Sequence, residues 1–472
     1  MNEEFDWVDD EELGELIRRF TMMNESGSHV FFDADEYEML IDHFLDNEEI
    51  DNALLAISLA KKNYPDMSSF FFKEVRYLAD TDEYYQALEL LSELEGHKDV
   101  SLEELYISRG EIYAQMQKHQ LAIEEYKKAL PYSDSPEEVL ASIALQYEYM
   151  NDFTSAITSL QEALRINPKA EGLLTEIGYY YDSSSKFEEA VDFMKELLDL
   201  DPYSVMGWFN LGLFYNSLLL YEKAIQAYEY ALAIDEELSL ATFNMANSYS
   251  NLEKYQEAIH YYELSLQQDD PDDMAYYYIG ECYENLYDHK NALLYYNLAV
   301  EKDNTIADAW AGLGRIMAKQ DKLMVAVNYY ARAVQIEPEN ADILADLGEL
   351  YTMLGEMDKA EAVFKNWIYY HPKDHEAWLK LSETVLKSQG ASKAIKLLES
   401  ALREHVEMAS LWYRLGAYLY NTGIIQQAYQ IFSIAMEIDV EKSSELLEYL
   451  PELINESRFI ELLSTYKSVD KT

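Results

Sequence analysis

Residues Trp208–Tyr228 read WFNLGLFYNSLLLYEKAIQAY, and this stretch decides the fold. Trp208, Leu211, Gly212 and Tyr215 fall at i, i+3, i+4 and i+7, and Ala224, Tyr228 and Ala231 at i, i+4 and i+7. Each set marks one face of an α-helix. Two helices separated by a short break predict an antiparallel pair. Gly212 and Ala224, lacking large side chains, let the two backbones approach closely, and a bulkier residue there costs roughly 1–3 kcal/mol by overpacking.

The pattern repeats. Steps of 34 residues from Gly110 reach Ala144, Gly178, Gly212, Ala246, Gly280, Gly314, Gly348, Ser382 and Gly416. A stricter column runs through Ala122, Ala156, Ala190, Ala224, Ala258, Ala292, Ala326, Ala360, Ala394 and Ala428, and four residues beyond each stands a bulky residue such as Tyr126, Tyr228, Phe364 or Phe432. Ala53 and Ala87 extend the column backwards, so twelve units run from 34 to 442: two weaker ones over 34–102 and ten regular ones over 103–442. Pro65, Pro168, Pro202, Pro338 and Pro372 fall at unit ends, where a residue that cannot continue a helix terminates the second one. Residues 1–33, with Asp9, Asp10, Glu11, Glu12 and Glu15 opening a helix through Phe20, form an acidic cap or lead-in. Residues 443–472 read as a capping pair, Ser444–Ile454 and Glu456–Tyr466. Two departures, Trp367 in place of alanine and Ser382 in place of glycine, predict looser or shifted packing between units 341–374 and 375–408, with a compensated local repacking, rather than a hinge, as the plainer reading.

Trp208, Leu211, Gly212 and Tyr215 with Ala224 and Tyr228 resemble the tetratricopeptide signature, repeated by Trp310, Leu313, Gly314, Ala326, Tyr330 and Pro338 and by Trp412, Leu415, Gly416, Ala428 and Phe432. The resemblance covers about seven-eighths of the chain. It implies an all-α fold: a right-handed superhelical solenoid of about twelve helix-turn-helix repeats with caps at both ends, first helices lining a concave groove and second helices facing outward. It also implies a scaffold or adaptor that binds other proteins, with the second, fifth, sixth and ninth residues of a unit pointing into the groove.

On that frame the central units place Met206, Phe209, Asn210 and Leu213, then Leu240, Phe243, Asn244 and Asn247, then Met274, Tyr277, Tyr278 and Glu281 inward. Methionine and aromatic side chains suit adaptable contact with a peptide, and asparagine amides both donate to and accept from an extended backbone. Met206, Phe209, Asn210, Leu240, Phe243, Asn244, Asn247, Met274, Tyr277 and Tyr278 are therefore the expected peptide-binding residues. The asparagines in adjoining units are similar to those in the repeat arm of O-linked N-acetylglucosamine transferases, which implies an alternative role as a regulatory or substrate-presenting arm for a separately encoded enzyme. A structural spacer or self-assembling rod is a third reading. Farther along, Arg315, Lys380 and Arg414 sit at sixth or ninth places, with Lys319 and Lys387 nearby. They could hold an acidic peptide end by charge-assisted hydrogen bonds, loosely similar to the carboxylate clamp of co-chaperone repeats. Neutralisation by neighbours such as Glu349 and Glu383 is the simpler reading.

Composition narrows the partners. The chain has 472 residues, 36 basic against 89 acidic, for a net charge of −53, which disfavours nucleic acid and anionic membranes and favours basic protein partners. The plainer reading of the charge is a solvated, self-repelling exterior. One cysteine, Cys282, excludes an intrachain disulfide framework. With no run of 18 or more apolar residues and no basic-apolar leader at Met1, the expected location is the cytoplasm. No phosphate-binding loop, nucleophile elbow or metal motif occurs. His371 and His375 flank Pro372 without a third ligand, and Cys282 reads as a packed side chain. No enzyme, cofactor or metal is expected.

Overall fold

The computed structural model describes residues 3–26, 30–96, 100–268 and 272–469. Among them stand 27 α-helices, two 3-10 turns and no strand. The chain forms two compact units, Met1–Glu236 and Glu237–Thr472. In the first, a lead helix, Glu3–Ser26, precedes six helix pairs, from Ala34–Asp46 with Ile50–Asn63 to Val205–Ser217 with Tyr221–Ile234. In the second, six further pairs run from Ser239–Asn251 with Tyr255–Ser265 to Ala409–Asn421 with Ile425–Ile438, followed by two closing helices.

Close approach within a pair is visible at the glycine column. A Cβ on Gly212 would lie 2.4 Å from the Tyr228 ring, on Gly348 2.3 Å from Phe364, and on Gly416 2.4 Å from Phe432. Gly110, Gly280 and Gly314 meet Tyr126, Tyr296 and Tyr330 in the same way. Where the column holds alanine or serine the facing residue is mostly smaller: Ala144 faces Leu160 and Ser382 faces Leu398 in the same register. Ala246 is the exception, and there the Tyr262 ring lies stacked on Tyr278, 5.7 Å away at 10°. Gly178 follows another rule, because a Cβ there would meet the Asn210 side chain of the next repeat at 3.3 Å.

The break between paired helices is a repeated backbone motif. At Gln117 the chain turns left-handed (φ 57°), its N–H reaching Ala114 O at 2.8 Å while the Lys118 N–H reaches Tyr113 O at 2.8 Å. These two bonds define a Schellman ending, which satisfies carbonyls the helix leaves open. Leu219 with Leu220 and Glu253 with Lys254 repeat it. Glycine holds the left-handed place only at Gly355 and Gly423; Leu219 and Tyr287 hold it at φ 59° and 60°. In repeat 375–408 the first helix runs on to Gln389, and Gly390 turns with φ 87°, ψ 167° instead. That altered turn is where this repeat departs. Trp367 and Ser382 are both buried in one continuous core with Leu381 and Leu398, and Ser382 Oγ donates to Leu379 O at 2.8 Å, so the packing expected to loosen there is filled.

Between repeats, tryptophan at the fourth place ties down the preceding turn. The indole N–H of Trp208, Trp310, Trp378 and Trp412 donates to the carbonyl six residues back, on Pro202, Asn304, Pro372 and Val406, at 2.8–3.1 Å. At the start, Leu16 and Phe20 of the lead helix are buried on the first pair, with Phe20 5.3 Å from Phe44, and Asp33 and Glu36 form a reciprocal capping box. Asp9, Asp10, Glu11 and Glu12 lie on the lead helix, and their side chains are outside what the structure describes. At the end, the first closing helix covers only Ser443–Tyr449, because Pro451 forces Leu450 out of helical geometry. A 3-10 turn, Pro451–Asn455, and the helix Ser457–Val469 follow, with Phe459 buried 6.0 Å from Phe432.

Two stability outcomes follow from this geometry. Gly348→Ala lowers the urea midpoint of the second unit by a loss of about 1–3 kcal/mol, whereas the same change in a Phe364→Leu background costs nothing further, since that pair matches Ala144 with Leu160. Leu219→Gly, at a place where the side chain is 69% exposed, raises stability by about 0.5–1 kcal/mol by removing left-handed strain. Chemical denaturation followed by circular dichroism checks both.

Candidate interaction surface

The expected peptide-binding residues divide between the units: Met206, Phe209 and Asn210 belong to the first, and Leu240, Phe243, Asn244, Asn247, Met274, Tyr277 and Tyr278 to the second. Three of them need correction. Phe209, Phe243 and Asn210 are 7%, 9% and 3% exposed. Phe209 packs 6.0 Å from Tyr228, and Phe243 packs 5.5 Å from Tyr262 and 5.8 Å from Tyr278. The fifth place therefore faces the ring of its own second helix. Asn210 donates to Leu174 O at 2.7 Å, over the space that Gly178 leaves open. It clamps one repeat to the next, which is why its amide is unavailable to a ligand backbone.

The remaining residues stay accessible. Leu240 is 51% exposed, and Asn244, Asn247, Met274, Tyr277 and Tyr278 are half-buried. Asn244 Nδ2 donates to Leu240 O at 2.8 Å, and Asn247 Oδ1 accepts from the Tyr262 hydroxyl at 2.5 Å. Each amide keeps hydrogen-bonding capacity beyond the one bond named. In the first unit, Met206 is half-buried against Trp208, Leu211 and their neighbours.

The basic residues are already engaged. Arg315 Nε donates to Glu284 at 3.0 Å, and Lys319 Nζ reaches the same carboxylate at 2.8 Å, with the Tyr296 hydroxyl donating to it at 2.9 Å. Burial pushes the Glu284 carboxyl upward, but Arg315 and Lys319 outweigh it and hold the group below the ordinary glutamate value. Lys380 pairs with Glu349 and Arg414 with Glu383, while the Arg414 guanidinium lies 4.2 Å over the Tyr449 ring. All three cations reach back 31 residues to a carboxylate on the previous first helix, so an acidic peptide end would have to displace an internal partner. They serve instead as ties between repeats.

Carboxylates on the first helices of the first unit show the opposite condition, which reading the sequence for apolar clusters missed. Glu104, Glu111 and Glu176 occupy second, ninth and sixth places and are exposed, and none forms an ion pair among the described residues. Desolvation by the surrounding wall raises all three carboxyls above the ordinary value. The cations nearest to Glu104 and Glu111, Lys73 and Arg76, are bound to Asp42 and Asp46 at 2.5 Å. Glu111 borders an open recess of about 840 Å³ with Tyr126, Leu145 and Tyr149, in which His119 stacks on Tyr149 at 5.2 Å and bonds Gln146 Oε1 at 2.9 Å. Leu145, Tyr149 and Tyr179 are 41%, 61% and 55% exposed.

The residues considered for chemistry are packed. The Cys282 thiol is buried, 3.7 Å from Ser250 Oγ, and burial pushes it up to about 11. His371 lies against the Glu339 carbonyl at 2.5 Å. No group of three or more His, Cys, Asp or Glu side chains is placed to hold a metal ion, and no helix is long and apolar enough to cross a membrane, among the described residues.

Family models described as tetratricopeptide repeat match residues 103–132, 142–205, 175–238, 243–305 and 325–383, together just over half of the chain. No curated protein matches it. Among solved structures, the Cut9–Hcn1 hetero-tetramer of APC/C is similar over 84% of this chain and 92% of its own at 14% identity and TM-score 0.40. A tetratricopeptide repeat protein from Parabacteroides merdae ATCC 43184 matches over 53% and 98% at 18% identity and TM-score 0.42. YrrB, described as a repeat protein with an unusual peptide-binding site, matches over 39% and 95% at 23% identity and TM-score 0.32. With the signature residues packed as their spacing requires and the family models matched along both units, the chain belongs to the tetratricopeptide-repeat proteins.

Proposed function

We propose that this protein is a non-enzymatic interaction scaffold that holds an extended, basic segment of another protein along the first helices of its repeats. General scaffold function follows from the repeat family; the choice of a basic partner rests on one observation. Glu104, Glu111 and Glu176 stand exposed at groove places without a cationic partner, beside accessible Leu145, Tyr149 and Tyr179. Raised carboxyl values mark these anions as incompletely solvated, so a lysine or arginine arriving from a ligand replaces solvation the wall has removed. The exposed tyrosines cover the aliphatic stems of such residues and stack on guanidinium groups. In the second unit, Leu240, Asn244, Asn247, Met274, Tyr277 and Tyr278 supply an apolar and amide-bearing face for the same kind of extended chain.

A fluorescein-labelled peptide of repeating Lys-Ser-Leu, followed by anisotropy, tests the reading. Replacing Glu104, Glu111 and Glu176 together by glutamine weakens binding roughly 5- to 30-fold at low salt, taking each exposed pair at about 0.3–0.7 kcal/mol, and flattens the salt dependence. Replacing Glu162, Glu188 and Glu222 on second helices, an equal change in net charge, leaves affinity within a factor of two. Equal losses from both triple variants would reduce the attraction to bulk charge and remove the groove from the account. Because the raised carboxyls gain protons more readily in the free protein, affinity climbs as pH rises above the ordinary glutamate value and levels off toward neutrality.

A further inference from the structure

A second recess in the first unit, open and of about 620 Å³, lies beside the second helices Phe187–Leu200 and Tyr221–Ile234. Tyr215 and Ala227 line it, together with Trp208 and Tyr230, whose rings stack at 4.5 Å and 26°. At one lining position this repeat carries a small residue where its neighbours carry a ring. At the place of Ala227, the next two repeats carry Tyr261 and Tyr295, which stack on Tyr249 and Tyr283 at 5.2 and 5.5 Å. These tyrosines occupy the place equivalent to Tyr215 in their own repeats. With alanine at 227, itself 2% exposed, the Tyr215 ring makes no contact with another ring among the described residues, and the aromatic slot seen in the next two repeats lacks its second ring.

The charge around the slot is opposite to that of the chain. Lys195 and Lys223 both line it, their ammonium groups 5.8 and 5.5 Å from the Tyr215 ring centroid. Lys223 forms no ion pair among the described residues, and Lys195 has only Asp192 at 3.8 Å, a carboxylate 85% exposed. One acidic residue, Asp199, also borders the space. Two ammonium groups over a ring that no other ring among the described residues contacts, in a protein with 36 basic and 89 acidic residues, select an anionic visitor. The slot between Tyr215 and the Trp208–Tyr230 stack selects a flat apolar group.

We infer that this recess is a second docking site, distinct from the groove of the first helices, and that it takes a partner segment in which an aromatic side chain is flanked by carboxylates. The ring fills the place that tyrosine occupies in the next two repeats, with the edge of Trp208 and the face of Tyr215 as its neighbours. The flanking carboxylates meet Lys195 and Lys223 in charge-assisted contacts. One protein thus carries two surfaces of opposite preference, a basic segment on first helices and an acidic aromatic one between second helices.

The test uses the full chain and a blocked peptide, Asp-Glu-Phe-Asp-Glu, in isothermal titration calorimetry. Saturable binding is expected, lost at least ten-fold on replacing phenylalanine by alanine in the peptide and at least ten-fold on Ala227→Tyr, a change the next two repeats show the fold accommodates. Lys195→Gln with Lys223→Gln, which leaves the slot intact, weakens the acidic peptide at least five-fold and abolishes its salt dependence. Binding unaffected by Ala227→Tyr, no saturation at millimolar peptide, or equal affinity for Lys-Lys-Phe-Lys-Lys would each overturn the assignment. So would self-association of the protein that Ala227→Tyr abolishes, since a second copy would then fill the slot. Retained binding of the Lys-Ser-Leu peptide by the Ala227→Tyr variant separates failure of this site from failure of the groove.

Discussion

The contact on which the rest depends is an aromatic ring packed against a helix backbone at a residue that carries no side chain. At Gly110, Gly212, Gly280, Gly314, Gly348 and Gly416 the facing Tyr or Phe ring occupies the volume where a Cβ would stand, at 2.3–2.6 Å from its position. That approach sets the spacing of first and second helices, and the alanine column completes it, Ala122 to Ala428 being buried throughout. Once the spacing is fixed, the inter-repeat contacts, the clamp from Asn210 to Leu174 and the indole bonds to preceding turns fall into register. Ala144 with Leu160 and Ser382 with Leu398 show the same constraint met from the other side, a small loss of room in the first helix matched by a smaller residue in the second.

Much of this fold is legible in the sequence because it is periodic. Helix pairs and their number follow from columns repeated in fixed register, and the signature tryptophans, Trp208, Trp310 and Trp412, mark the same place in their repeats. The left-handed turn residues were not legible: Gln117, Leu219, Glu253 and Tyr287 share nothing chemically, because the backbone motif selects a conformation that many residues adopt at modest cost. The end of the first closing helix was misplaced although Pro451 announces it, since an apolar stripe continues past the proline.

The interaction surface was less legible, and for a physical reason. The place of a residue within the repeat identifies its helix face, yet neighbouring places on that face divide between core and accessible surface according to what packs against them. Phe209 and Phe243 turn to Tyr228 and Tyr262, whereas Leu240, one helical turn earlier, stays exposed. Charge is harder still. Glu349 and Glu383, read from the sequence as neutralising neighbours, do pair with Lys380 and Arg414, but Glu284, the partner of Arg315, lies 31 residues back and comes within reach only after the repeats pack. The converse holds for Glu111 and Glu176, whose lack of a cation emerges only when every neighbouring lysine and arginine has been placed. With so few basic residues, each cation tied between repeats leaves carboxylates elsewhere unmatched.

The indole bonds to inter-repeat turns have an optical consequence. Emission from tryptophan shifts with the polarity and hydrogen bonding of its N–H, and Trp208, Trp310, Trp378 and Trp412 each hold that group on a turn carbonyl. Chains keeping one of these indoles at a time therefore carry a built-in lamp at a known junction. Loosening of one repeat against the next becomes visible by colour at that seam while neighbouring seams stay dark, a local view suited to a chain in which unfolding need not spread from end to end.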